Sequence, residues 1–269
     1  MEKIDFSNIS KKYREISTVQ KSASENLFNL LDIKSGESVL DAGCGTGNLT
    51  SKIKSAAKGR VVGIDVSAGM INEAVKDYGP FGIEFLAVSI PDMEFDREFD
   101  VIFCNSTFQW IKEAGPALKR FYCALKPGGR IAIQAPATKS YCPNFLSAIN
   151  GMMAADDKVR EVFSSFRSPW FFLETADEYN KIFEAAGFKV AISGIESQSS
   201  KHTPEKIFEI FSSGAIAGYL NRDNYTVEID DVYIERFKHL IKEEFAKQAD
   251  GDGLVNLIFN RIYLLAFRY

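Results

Sequence analysis

The chain has 269 residues, 46% of them hydrophobic and 25% charged, with a formal net charge of −4 and a pI near 5.4. That is enough chain to bury a full core as one large domain or as a domain with a lid. The acidic balance supplies no broad positive field for nucleic acid, and a polar start with no apolar run near the ~18 residues that span a bilayer leads to the expectation of a soluble, cytoplasmic protein that does not engage a membrane.

In chain order, residues 1–35 read as an N-terminal helical segment on which Tyr13 and Gln20 fall two turns apart on one face. Apolar runs of strand length then alternate with amphipathic helical patterns: "SVLDAG" (38–43), "GRVVGIDV" (59–66), "IEFLAV" (83–88), "FDVIFCN" (99–105) and "GRIAIQAP" (129–136). Ser67 is placed to cap a helix with Met70, Ile71, Ala74 and Val75 on one face, and "KPGG" (126–129) to turn tightly into the fifth strand. This alternation is the pattern of a parallel α/β sheet built from βαβ units. Beyond residue 137 it gives way to aromatic-rich helical segments, so 138–256 is read as a helical lid that also contains the sixth strand, "FKVAISGIES" (188–197). Thr175 and Glu178 form a capping box ahead of Tyr179, Ile182, Phe183 and Ala186, Gly187 ends that helix, and Thr203 with Pro204 opens another. Phe163, Phe166, Trp170, Phe171 and Phe172 are expected to seat the lid on the sheet, a substrate channel being the alternative. The run "LIFNRIYLLAFRY" (257–269) closes a seven-stranded, doubly wound sheet. Within it Arg261 is either a grip for a substrate carboxylate or an exposed edge residue. Cys44, Cys104, Cys123 and Cys142 form no C-x-x-C pair and read as free buried thiols, and two histidines, His202 and His239, are too few for a metal site.

The loop after the first strand carries the chemistry. In "VLDAGCGTGNLT" (39–50), Gly43, Gly45 and Gly47 let backbone amides approach a ligand closely at a strand-to-helix turn. The dinucleotide fingerprint G-x-G-x-x-G is not met, because Asn48 stands where its third glycine belongs. Asp41 would also set a carboxylate against a pyrophosphate. A nicotinamide cofactor is therefore disfavoured, and a ligand carrying positive charge fits better. S-adenosylmethionine, with an ammonium and a sulfonium and no phosphate, is such a ligand.

"VLDAGCGTG", "VVGIDVSAGMI", "FDVIFCNSTFQWI" and "LKPGGRIAI" together resemble the ordered motifs of class I S-adenosylmethionine-dependent methyltransferases, over roughly residues 36–137. The resemblance implies that family's Rossmann-like fold with an inserted lid. It also implies cofactor contacts at Asp41, Gly43, Gly45, Gly47, Asp65, Val66, Met70, Ser89, Ile90 and Asn105, with Asp65 accepting both ribose hydroxyls. Ser89 stands where an aspartate often meets the adenine amino group; its hydroxyl is a weaker acceptor, with Asp92 as a substitute, so reduced cofactor affinity is expected. "NSTFQWI" (105–111) and "KKYREISTVQKSASENL" (11–27) are similar to malonyl-acyl-carrier-protein methyltransferases. "QWI" and the ending "DGDGLVNLIFNRIYLLAFRY" are similar to trans-aconitate methyltransferases. Both groups methylate carboxylates, which implies a small or carrier-bound carboxylate acceptor and marks Tyr13, Gln20, Gln109, Trp110 and Arg261 as candidates to line its pocket. Transfer to nitrogen or carbon, or a cofactor-binding regulatory protein with little turnover, are the alternatives.

Overall fold

The structure, a computed structural model, describes residues 23–269, so Tyr13 and Gln20 lie outside the described residues. Helix α1 (Ala23–Leu31) leads into strand β1 (Val39–Ala42), helix α2 (Asn48–Ala57), β2 (Val61–Asp65), α3 (Ala68–Tyr78), β3 (Glu84–Ala87), β4 (Phe99–Asn105), α4 (Ala114–Ala124) and β5 (Leu125–Pro136). There follow α5 (Pro143–Ala155), α6 (Asp157–Phe163), α7 (Ala176–Ala185), β6 (Phe188–His202), α8 (Pro204–Ser213), α9 (Ala215–Tyr219), α10 (Asp231–Lys247) and β7 (Val255–Arg268). The seven strands form one sheet in the order β3-β2-β1-β4-β5-β7-β6, and the ladders joining β3, β2, β1, β4 and β5 are all parallel. The expected doubly wound α/β sheet is thus present. Strand β1 is buried along its whole length, as a strand covered on both faces must be. Because chain order reverses between β1 and β4, the loops leaving their carboxyl ends flank the topological switch point, where open α/β sheets gather ligands.

The described residues divide into two compact units, the first taking those through Ala135 together with Leu173–Ile195 and Ile262–Tyr269, the second taking Pro136–Phe172 and Glu196–Arg261. In the first, Leu27 and Leu31 of α1, Ile53 and Ala57 of α2, and Val39, Val61, Val101 and Phe103 of the strands share one core. Arg130 pins α1 to β5: its guanidinium meets Glu37 at 2.7 and 2.9 Å and the Leu31 carbonyl at 2.8 Å. Such a forked, half-buried pair holds geometry better than an exposed one.

The second unit has its own core, in which Phe145, Phe211, Phe237 and Phe245 are essentially sealed from solvent. Four residues of the aromatic series belong there. Phe163, Phe166, Trp170 and Phe172 are half-buried against this core, the first three with their rings around Tyr219 and Phe172 stacked on Tyr141 at 5.0 Å. Gly218 is obligatory beside them, because a Cβ there would overlap the Trp170 ring.

Local signals for helix ends were well formed. Ser67 Oγ accepts the Met70 N–H at the start of α3, Thr175 and Glu178 make the reciprocal capping box of α7, Gly187 takes φ +99°, and Thr203 caps α8. Four expectations need correction. Only Ile71 and Ala74 of α3 are buried while Met70 and Val75 are 45% and 47% exposed, because the stripe facing the sheet is one residue wide per turn. "KPGG" bulges inside β5 rather than preceding it: pairing jumps from Phe99↔Leu125 to Val101↔Arg130, with Gly128 at φ +81°. Strand β6 runs on to His202. Cys123 is exposed, whereas Cys44, Cys104 and Cys142 are buried.

Candidate active site

The glycine loop is shaped by what each glycine would meet if it carried a side chain. Gly43, Gly45 and Gly47 all have positive φ, at +80°, +55° and +82°. A Cβ on Gly43 would overlap Thr107, and one on Gly47 would press on Phe85, Tyr78 and Ala74 at 3.0–3.1 Å. A Cβ on Gly45 would meet nothing within 4 Å. Gly43 and Gly47 therefore serve internal packing, and Gly45 is the one whose bare backbone faces open space. Amides of Gly43 and Cys44 are tied to the Ile64 carbonyl at 2.8 and 2.9 Å, which holds the loop against the end of β2.

Asp65, the last residue of β2, is held from both sides: Gly45 N–H donates to Oδ2 at 3.0 Å and Ser67 N–H to Oδ1 at 2.9 Å. Each oxygen keeps a second lone pair, so an oriented carboxylate with spare acceptor capacity stands beside the open glycine. Ser67, not Asp65, caps α3. Val66 is 77% exposed, and with Met70 it leaves apolar surface next to Asp65.

Asp41 is 2% exposed and accepts Thr50 Oγ1 at 2.6 Å. Burial pushes its carboxyl up to about 7, the Thr50 hydrogen bond opposes that rise, and the Asp65 charge adds to it. A buried acid poised near neutrality is stabilised as carboxylate by any cation brought against it. Burial, with the Asp41 and Asp65 charges, also holds the Cys44 thiol far above its ordinary range, and burial with Asp41 does the same to Cys104. Neither sulfur is a thiolate nucleophile. The N-terminus of α2 follows Gly47 with no side-chain cap, leaving its first amides available to an anion.

Ser89 precedes a single helical turn, Ile90–Asp92, and its Oγ donates to Asp92. The two residues weighed separately in the sequence thus act as a pair: the carboxylate polarises the hydroxyl and makes its oxygen a better acceptor. Ile90 is buried beneath them.

At the end of β4, Asn105 is partly buried, Gln109 is 7% exposed and Trp110 is 40% exposed. Ser106 between them is a non-glycine residue at φ +53°, its N–H donating to the Gln134 carbonyl at 2.7 Å and its Oγ to Gln134 Oε1 at 3.1 Å. Thr107 Oγ1 contacts the Asn105 carbonyl at 3.1 Å and the Gly43 carbonyl at 3.4 Å, linking this turn to the glycine loop. Arg261 belongs to the second unit, with its guanidinium over the Phe259 ring at 4.5 Å.

Thr50, Thr107, Ser106 and Gln134 were not singled out from the sequence. Two of them carried a signal. Thr50 shares the buried stripe of α2 with Ile53 and Ala57, and Gln134 is fully buried within the apolar run of β5. A polar residue on a buried stripe must find a partner, and a site is where partners are wanted.

Known proteins are similar to this chain in sequence and in fold. The methyltransferase domain family matches residues 33–187. The malonyl-[acyl-carrier protein] O-methyltransferase of Acetivibrio thermocellus is 33% identical over 130 residues, which are 47% of this chain and 46% of that protein. The chain thus aligns with about half the length of that relative. Trans-aconitate 2-methyltransferase of Shigella flexneri serotype 5b is 24% identical over 95% of this chain and 96% of its own. In fold, the chain is similar to a Haemonchus contortus phosphoethanolamine N-methyltransferase 2 solved with S-adenosyl-L-methionine, with a TM-score of 0.53 at 19% identity, over 98% of this chain and 57% of that one. With the glycine loop, the oriented Asp65 and the switch-point topology on a matched domain that covers more than half its length, the chain belongs to the S-adenosylmethionine-dependent methyltransferase family.

Proposed function

We propose that the protein transfers a methyl group from S-adenosylmethionine to a carboxylate oxygen of an organic acid, either small or tethered to a carrier. The observation that carries the cofactor half is Gly45, where an added Cβ would meet nothing among the described residues, in a loop whose other two glycines are closed by neighbours, beside a carboxylate already locked in place. The residues present fit the cofactor. Asp65 offers spare lone pairs to a ribose diol, Val66 and Met70 offer apolar surface to a flat ring, and the Ser89–Asp92 pair offers an acceptor to an amino group. Asp41 suits the cofactor's positive charges, and the uncapped start of α2 suits its carboxylate. When bound, S-adenosylmethionine supplies an electrophilic methyl carbon.

The acceptor half rests on the relatives, whose names describe malonyl-[acyl-carrier protein] and trans-aconitate, both bearing a free carboxylate. An ionised carboxylate is already a nucleophile and needs no general base. The protein's task is then to align the acceptor and keep it dry, which accords with buried, protonated thiols at Cys44 and Cys104 in place of an activated nucleophile. Tyr13, Gln20, Gln109, Trp110 and Arg261 remain our candidates for the acceptor's surroundings. The test is incubation with labelled cofactor and a bacterial extract, followed by mild alkali. Release of label as methanol, at a rate that falls on acidification as the acceptor is protonated, supports a carboxyl acceptor; an alkali-stable methylated product overturns it while leaving methyl transfer intact.

A further inference from the structure

Gln109 is 93% shielded and has one carboxamide atom without a partner. Its Nε2 donates to the Ser106 carbonyl at 2.9 Å, whereas its Oε1, fully buried, accepts no hydrogen bond among the described residues. The orientation of the amide is set by that first bond: turned over, it would face one carbonyl oxygen with another. A buried carbonyl left bare is costly and uncommon. It stands here in a strained setting, because Ser106 is held at φ +53° by two bonds to the fully buried Gln134, and the neighbouring Thr107 touches the Gly43 carbonyl of the cofactor loop. Backbone strain and a bare buried acceptor at the same turn, at the carboxyl end of a switch-point strand, mark a place completed by a ligand.

The free atom is an acceptor, and that constrains the ligand. An ionised carboxylate has only acceptor atoms and is repelled by Oε1. A partner within the acceptor molecule is therefore a part other than the carboxylate being methylated, and it must bear a donor, an N–H or an O–H. A small polycarboxylic acid ionised at neutral pH has no such group. An acyl group tethered through an amide-bearing thioester arm does. Resting on the carboxyl-methylation reading, we propose that Gln109 is a positioning residue that accepts a hydrogen bond from an amide N–H of that arm, and that the acceptor is a carrier-tethered acid rather than a small one.

Two malonyl thioesters that differ in this group provide the test: the N-acetylcysteamine thioester, which has one amide N–H, and the ethyl thioester, which has none. The wild-type protein should methylate the first with a kcat/KM roughly 5- to 30-fold higher, the span expected for one buried hydrogen bond whose loss strands its partner. Gln109→Leu should erase that preference, mainly through KM, with the cofactor Kd unchanged, and Gln109→Glu, which keeps an acceptor, should retain a preference. Equal use of the two thioesters by the wild type overturns the inference but leaves the carboxyl reading standing, and this comparison decides even if the leucine variant does not fold. A preference that survives in Gln109→Leu also overturns it, as does a weakened cofactor Kd in that variant, which would assign the bare oxygen to the cofactor's ammonium. Failure of both thioesters while other carboxyl esters form overturns it as well, and failure of every carboxyl acceptor overturns the reading on which it rests.

Discussion

The glycine loop and the aromatic core of the second unit use their polar atoms in opposite ways. Around the loop, polar groups are held in position with capacity to spare: Asp65 is fixed by two backbone amides, Asp41 is buried on one hydroxyl, and Gln109 keeps a bare oxygen. In the second unit the tyrosine hydroxyls close on each other and on backbone. Tyr141 meets Tyr219 at 3.1 Å, Tyr225 meets Tyr233 at 3.1 Å, and the Tyr225 hydroxyl donates to the Tyr219 carbonyl at 2.6 Å. Burial pushes Tyr219 and Tyr225 up to about 12, so these phenols stay neutral hydrogen-bonding groups. One region is organised toward something outside the chain and the other toward itself. Substitutions in the two should therefore separate ligand binding from stability.

The sharpest break in that comparison comes from Gly45→Val. A branched side chain fills the open face of the loop, so binding of S-adenosylmethionine should be lost in a titration. The fold should survive, at a cost of about 1–3 kcal/mol for a non-glycine residue at positive φ. Phe211→Ala should do the reverse. This ring is fully buried and stacks edge-on against Phe145 at 5.0 Å, so its removal should cost about 3–5 kcal/mol in urea unfolding while cofactor affinity in the native protein holds. A smaller effect, about 1.5–3 kcal/mol of cofactor affinity with the fold intact, is expected for Asp65→Ala, which removes a charged acceptor and frees the Gly45 and Ser67 amides it holds. Equal binding by that variant and its parent would remove Asp65 from the site.

The same contrast explains what could be read without a structure. A loop built to admit a cofactor needs glycines, an acid before them and another at the next strand end, and those demands fall on contiguous residues; "VLDAGCGTG" and Asp65 display them openly. Helix ends were legible for a similar reason, since Ser67, Thr175 with Glu178, and Thr203 act on amides three residues away. The supporting contacts were not, because they join residues distant in sequence: Thr107 lies over Gly43, and Ser106 is tied to Gln134. No periodicity marks Ser106 as left-handed, and its neighbours in "NSTFQWI" gave a resemblance without a geometry. The aromatic series marked Phe163, Phe166, Trp170 and Phe172 as packing residues but not against what, since hydrophobic pattern specifies a face and not its partner.

The central claim is that the loop holds a cationic cofactor against Asp41, and proton-linked calorimetry measures it directly. Asp41 titrates near 7 because of its burial, so in the unliganded protein its contribution to stability is full below the ordinary carboxylate range and is lost as pH rises toward 7. A bound cation favours the carboxylate and reverses that bias. Titration of S-adenosylmethionine at pH 6 in buffers of differing ionisation enthalpy should therefore show binding with release of up to one proton per cofactor. The release should vanish in Asp41→Asn. By pH 8, where Asp41 is already ionised and an α-amino group titrates near 7.7–8.0, the linkage should turn to net uptake. Absence of binding, binding of NAD in its place, or proton release at pH 6 that persists in Asp41→Asn would contradict the account.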